Sequence, residues 1–112
     1  MSQKHWQSNS FNVRDTSGGA LTNTSLKATP GTGMALYITD IVCNCGGTGR
    51  TFQLLDGSGG TVLWQAALSA NGNSYASFET PLKCSSNTAL CVTNGGASTG
   101  ALIAVNGFIA RG

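Results

Sequence analysis

Charge is what this chain has least of. Six bases and four acids make up 9% of its 112 residues and leave a net charge of +2. The bases, Lys4, Arg14, Lys27, Arg50, Lys83 and Arg111, stand singly along the chain, so no basic stripe exists to neutralise several phosphates together, and nucleic acid is not an expected partner. So few charges also argue against a solvated helical bundle, whose outer faces need Glu, Lys and Arg. The single histidine, His5, lies in a polar N-terminal stretch, so no histidine-based triad or metal cluster can be assembled within one chain. Asp15, Asp40, Asp56 and Glu79 are scattered, with no pair at a spacing that marks two-carboxylate chemistry. Apolar runs stay a few residues long, far below the ~20 of a membrane-spanning helix. The opening MSQKHWQSNS has neither the apolar segment nor the cleavage site of a secretory signal, so any export is expected to use another route.

What the chain does have is glycine, 16 residues of it, and a 40% hydrophobic fraction that is enough for one core. The clearest local structure is Thr51 to Leu68. Phe52 and Leu54 alternate with polar neighbours on one arm, Val62, Trp64, Ala66 and Leu68 alternate on the other, and Asp56-Gly57-Ser58-Gly59-Gly60 joins them. This is a β-hairpin with a bulged loop, and it predicts that Phe52, Leu54, Val62 and Trp64 share one core.

Residues 1–10 read as an arm, and residues 11–112 as a single domain. Phe11 and Val13 alternate in a short strand from Ser10 to Arg14. Ala20 to Ala28 reads as a second strand, and Thr29-Pro30-Gly31 breaks it. Met34 to Cys45 is the longest strand candidate, with Met34, Leu36, Ile38, Asp40 and Val42 on one face and Tyr37, Thr39, Ile41, Cys43 and Cys45 on the other. Both faces are largely apolar, which predicts a second cover, most simply another copy of the chain. Ser74 to Glu79 places Phe78 inward, with Thr80-Pro81 ending the strand and Leu82 to Asn87 forming a loop. Thr88 to Thr93 puts Leu90 and Val92 on one face. The closing ALIAVNGFIA segment separates Ile103, Val105 and Ile109 from Leu102, Ala104 and Phe108. About eight strands at roughly ten-residue spacing, with no helical period, predict an all-β antiparallel sandwich of jelly-roll type.

Four cysteines are the remaining chemistry. Cys43 and Cys45, with Cys84 and Cys91, give C-x-C and C-x6-C spacings in place of the C-x2-C pairs of a zinc knuckle, so zinc is not expected. One or two disulfides among the four, or free buried thiols, remain as readings. Asp40, inside an apolar strand, is read as a carboxylate accepting hydrogen bonds from neighbours and not as a catalytic group. The loops GSGGT and TNGGASTG lack the Gly-Lys-Ser/Thr ending of a phosphate cradle and read as turns. Neither a cofactor nor an enzymatic activity is expected.

Several runs carry a resemblance: ITDIV at Ile38 to Val42, TFQLLDG at Thr51 to Gly57, TVLWQ at Thr61 to Gln65, FETPLK at Phe78 to Lys83, NTALCV at Asn87 to Val92, and the last strand through Gly107 and Phe108. From about Met34 to Ala110 the chain resembles small all-β virion proteins of tailed bacteriophages. The resemblance implies a jelly-roll-like decoration or cement protein that assembles as a homotrimer and binds the major capsid protein on the head of a virion assembled in the host cytoplasm. Trp6, Phe11, Tyr37 and Ile41 are the expected contacts with other copies or with the capsid. A tail or receptor-binding component, or a carbohydrate-binding module, is the alternative.

Overall fold

A computed structural model describes residues 9–112. Eight strands form: β1 (Ser10–Asp15), β2 (Thr24–Lys27), β3 (Met34–Asn44), β4 (Arg50–Asp56), β5 (Val62–Leu68), β6 (Asn73–Lys83), β7 (Leu90–Thr93) and β8 (Leu102–Arg111). They make two four-stranded antiparallel sheets, sheet I in the order β1-β8-β3-β6 and sheet II in the order β2-β7-β4-β5. The pairs nest: β4 with β5, β3 with β6, β2 with β7 and β1 with β8. A long two-armed ribbon whose tip is the β4–β5 hairpin has thus been rolled into a sandwich, which is the jelly-roll pattern predicted from strand number and spacing.

The core fills the space between the sheets. Leu36, Ile38, Ile41, Cys43, Ile103 and Val105 face inward from sheet I, and Phe52, Leu54, Leu90 and Val92 from sheet II. Phe11 closes one side at the β1 edge, where the Lys27 ammonium of β2 lies 5.4 Å from its ring centroid. Gly107 makes this possible. It is paired with both Phe11 and Ile38, and a Cβ there would come within 2.7 Å of the Phe11 ring.

Two β-bulges overturn expectations drawn from strict alternation. In β3 the register shifts between Ile38 and Asp40, so Thr39 is an extra residue and side-chain parity inverts beyond it. The inward face is therefore Leu36, Ile38, Ile41 and Cys43, while Tyr37, Asp40, Val42 and Asn44 face outward. This strand is not apolar on both faces, and Ile41, fully buried, is not a surface contact. In β5 the second bulge falls at Leu63, since Leu54 pairs with Trp64 but Leu55 with Val62. Leu63 turns in against the core and Val62 is 42% exposed, so Val62 does not share the core with Phe52 and Leu54. Trp64 packs on the core but is only partly buried.

Three boundaries also move. The second strand is four residues, not nine, and β7 starts at Leu90. β6 continues through Thr80-Pro81 to Lys83, because it is the edge strand of sheet I and the four residues Phe78 to Pro81 arch out between the pairs Asp40–Ser77 and Ile38–Leu82. An edge strand that bulges has no ladder bond for proline to break. β1 begins at Ser10, as the alternation predicts, and runs one residue further, to Asp15.

Candidate interaction surface

Antiparallel pairing places residues of different strands side by side, and on the outer face of sheet I it assembles four rows. Ser10, Phe108, Tyr37 and Lys83 form the first; Asn12, Asn106, Asp40 and Ser77 the second; Arg14, Ala104, Val42 and Tyr75 the third; Leu102, Asn44 and Asn73 the fourth. The face is a polar band between two apolar ones.

In the first row the Tyr37 and Phe108 rings stack, with centroids 5.0 Å apart and planes 3° from parallel. The Tyr37 hydroxyl donates to the Arg111 carbonyl at 2.7 Å, so its ring must lie along the strand toward the Met34 end. Strand parity puts Ala35 and its partner Ala110 on this same face, and Ala35 has no exposed surface.

The polar band is internally bonded. Asp40 accepts from the Tyr75 hydroxyl at 3.3 Å and the Thr39 hydroxyl at 3.0 Å, the role expected for it. The Asn12 amide donates to the Asn106 side-chain oxygen, and Arg14 donates to the Asn12 oxygen at 3.3 Å. Beside this band an open groove of about 510 Å³ is lined by Ser10, Phe11, Asn12, Thr39, Asn106, Gly107 and Phe108. The third row is the exposed apolar one: Val42 is 40% and Tyr75 66% accessible.

The outer face of sheet II differs. Cys91 and Leu55 pair there, on the side opposite Leu90 and Val92, yet both are buried. The β4–β5 loop reaches the loop before β2, where the Gly59 amide donates to the Asn23 side chain at 3.0 Å.

All four cysteines are free and buried thiols, so the disulfide reading is not met. Cys43, Cys45 and Cys84 join the core, whereas Cys91 lies on the far side of its sheet. Burial pushes the Cys43 thiol up to about 11, with Cys45 adding to the effect and a backbone bond from Ser74 opposing it. Burial likewise raises Cys84 to about 12, helped by the negative Asp56 and by Cys91. Burial alone raises Cys91. Thiols of this kind are poor nucleophiles at neutral pH. Among the described residues no group of three or more His, Cys, Asp and Glu is placed to hold a metal ion.

Of the expected contact residues, the structure brings Tyr37 to the outer face of sheet I and puts Phe11 at its β1 edge, lining the groove. It buries Ile41, and Trp6 lies outside the described residues. Sequence reasoning missed two polar residues that tie the loops at one end. Asn94, 1% exposed, accepts from the Leu21 and Gly96 amides and donates to the Gly19 carbonyl. Ser98 accepts from the Thr48 amide and donates to the Cys45 carbonyl. The Arg50 guanidinium donates to the Ala97 carbonyl beneath Gly96. The Asx turn that Asn94 makes with Gly96 was the one local signal available.

Compared with known proteins, the chain matches no family model, no curated protein and no solved structure.

Proposed function

We propose that this protein is a non-enzymatic structural component of a tailed-phage virion, a decoration or cement protein that assembles as a homotrimer and binds the major capsid protein at the head surface. The observation that carries the reading is the outer face of sheet I. Val42 and Tyr75 stand exposed beside Ala104, and Leu102 and the Tyr37–Phe108 pair flank them, on a face that no other part of the described chain covers. Exposed apolar groups rimmed by polar ones mark association surfaces. The sequence resemblance from Met34 to Ala110 supplies the virion context, and the jelly roll is an architecture that capsid proteins use. Fold alone does not carry function, so the surface and the resemblance bear the weight.

The test is to add purified protein to undecorated phage heads and image them. Hundreds of copies in a regular lattice on the shell, and a trimer by light scattering beforehand, are the expected result. A monomer that leaves the shell bare overturns the reading.

The alternative, a tail or receptor-binding component that takes carbohydrate, draws on the groove beside Asn12 and Asn106. Amides, hydroxyls and an aromatic ring meet there, the groups that sugar recognition uses. A glycan array with an Asn106→Ala control addresses it.

A further inference from the structure

We propose that Arg50 forms a carboxylate-binding site whose occupant is Glu79 of a second copy of the chain. The proposal rests on the self-association read from the outer face of sheet I and adds a polar contact to it. The Arg50 guanidinium is held in place from two sides. Its Nη2 donates to the Ala97 carbonyl at 2.7 Å. A Cβ on Gly96 would lie 3.1 Å from Cζ and Nη2 and 3.4 Å from Nη1, so the guanidinium rests against the Gly96 backbone. Gly96 has φ +146°, and a side chain there would both strain the backbone and crowd the guanidinium. Nε is buried without a hydrogen-bond partner. Nη1 is also unbonded among the described residues but is not buried, which leaves it as the donor open to a ligand. Arg50 lines an open groove of about 430 Å³ together with Gly49, Thr51, Leu68, Asn94 and Gly95.

A guanidinium partly withdrawn from water, with donors unmet, is costly until an oxyanion pairs with it. Three of the four acids are already engaged. Asp15 accepts from the Ser17 amide and hydroxyl, Asp40 from Thr39 and Tyr75, and Asp56 from the Ser85 amide and hydroxyl. Glu79 is exposed and has no partner among the described residues. It stands in the Phe78–Pro81 arch, which leaves the ladder at the free edge of β6. Within one chain the two groups do not meet. Arg50 pairs with Leu68 at the end of sheet II from which the chain turns into β6, and the six residues of strand from Asn73 to Glu79 span about 20 Å. The ion pair is therefore available only between copies. Other bases lack this character: Arg14 donates to Asn12, Lys27 lies over Phe11, and Lys83 and Arg111 are exposed to water. With donor and acceptor on separate surfaces, each copy gives one contact and receives one, as in a closed ring.

The test is a double-mutant cycle on the full chain, with Arg50→Gln, Glu79→Gln and both together. Dissociation constants come from sedimentation velocity across a dilution series at low and high salt, and thermal melts check that each variant folds. Glutamine keeps a donor for the Ala97 carbonyl. Each single substitution should raise the dissociation constant about 30-fold or more, and the double variant should lose no more than either single one. High salt should weaken the parent more than the variants. Glu79 makes no bond within the described chain, so its substitution tests the contact even where Arg50→Gln fails to fold. A parent oligomer that Glu79→Gln leaves unchanged overturns this contact and spares the self-association reading, whereas a monomeric parent overturns both. Loss with Arg50→Gln alone also overturns it, and assigns the groove to a carboxylate from another source. Losses that multiply in the double variant show that the two groups act apart, and sink the proposal equally.

Discussion

Tyr37 and Phe108 stack face to face across neighbouring strands, 5.0 Å between centroids, and the Tyr37 hydroxyl anchors the pair to the Arg111 carbonyl at the end of β8. Tyr37→Phe keeps the stack and removes only the hydrogen bond, so it should cost about 0.5–1.5 kcal/mol in denaturant unfolding. In a double-mutant cycle, Tyr37→Ala with Phe108→Ala should show a coupling of about 0.5–1.5 kcal/mol. A coupling of zero would mean that the rings do not stack in solution.

Burial separates two aromatic residues that the hairpin pattern treats alike. Phe52 is 1% exposed, whereas Trp64 is only partly buried on the edge strand β5. Phe52→Ala should cost about 3–5 kcal/mol. Trp64→Ala should cost less, since part of its ring already meets water. Urea titration of both variants checks the order, and a larger loss for Trp64 would contradict this packing.

The thiols give the protein an alkaline limit. Burial raises Cys43 to about 11 and Cys84 to about 12 in the fold, whereas an unfolded cysteine titrates near its ordinary value of 9.0. The folded state therefore holds these protons more tightly. Their contribution to stability is complete below about pH 9 and is lost as pH rises toward 11–12, because only the unfolded chain gains by ionising. Melting temperature should fall across that window, and Cys84→Ser should flatten the fall. At neutral pH a thiol reagent should label the native protein slowly and the unfolded protein at all four positions.

How far the sequence reveals this structure depends on whether period two is kept. β1, β4 and β8 keep it, and their inward residues Phe11, Phe52, Leu54, Ile103 and Val105 were legible as a consequence. β3 breaks it at Thr39 with neither glycine nor proline to mark the place. Beyond the bulge every assignment inverts, which is why Ile41 reads as surface from sequence while packing in the core. Leu63 does the same to Val62 in β5. Pro81 reads as a stop because the pattern alone does not reveal that β6 lies at an edge. The outer face of sheet I was visible only in part. Leu102, Ala104 and Phe108 could be assigned to one side of the last strand, but their meeting with Val42, Tyr75 and Tyr37 depends on register between strands distant in the chain. Asn94 was hidden for a similar reason, since two of its three partners lie more than 70 residues away.

Asn94 is the residue through which the loop before β8 holds the loop between β1 and β2. Its side-chain oxygen accepts from the Leu21 and Gly96 amides at 3.0 Å each, and its nitrogen donates to the Gly19 carbonyl at 3.1 Å. Asn94→Asp conserves shape and both acceptor bonds but changes what faces Gly19. Ionised, the new carboxylate has no proton to give and would be a buried charge set against a carbonyl oxygen; protonated, it can donate as the amide does. Its pKa in the fold should therefore lie above the unfolded value of about 3.9. A raised folded pKa means stability retained below about pH 4 and lost as pH climbs through the folded value. Asn94→Asp should thus resemble the parent in acid and fall progressively behind it toward neutrality, while Asn94→Ala, which leaves all three backbone groups without this partner, should be destabilised at every pH. Thermal melts of the three proteins from pH 3 to pH 8 provide the check. A constant gap between Asn94→Asp and the parent would show that the side chain is solvated in solution, and that the two loops are held by their backbone bonds, Asn94 to Leu21 and Ser98 to Gly18.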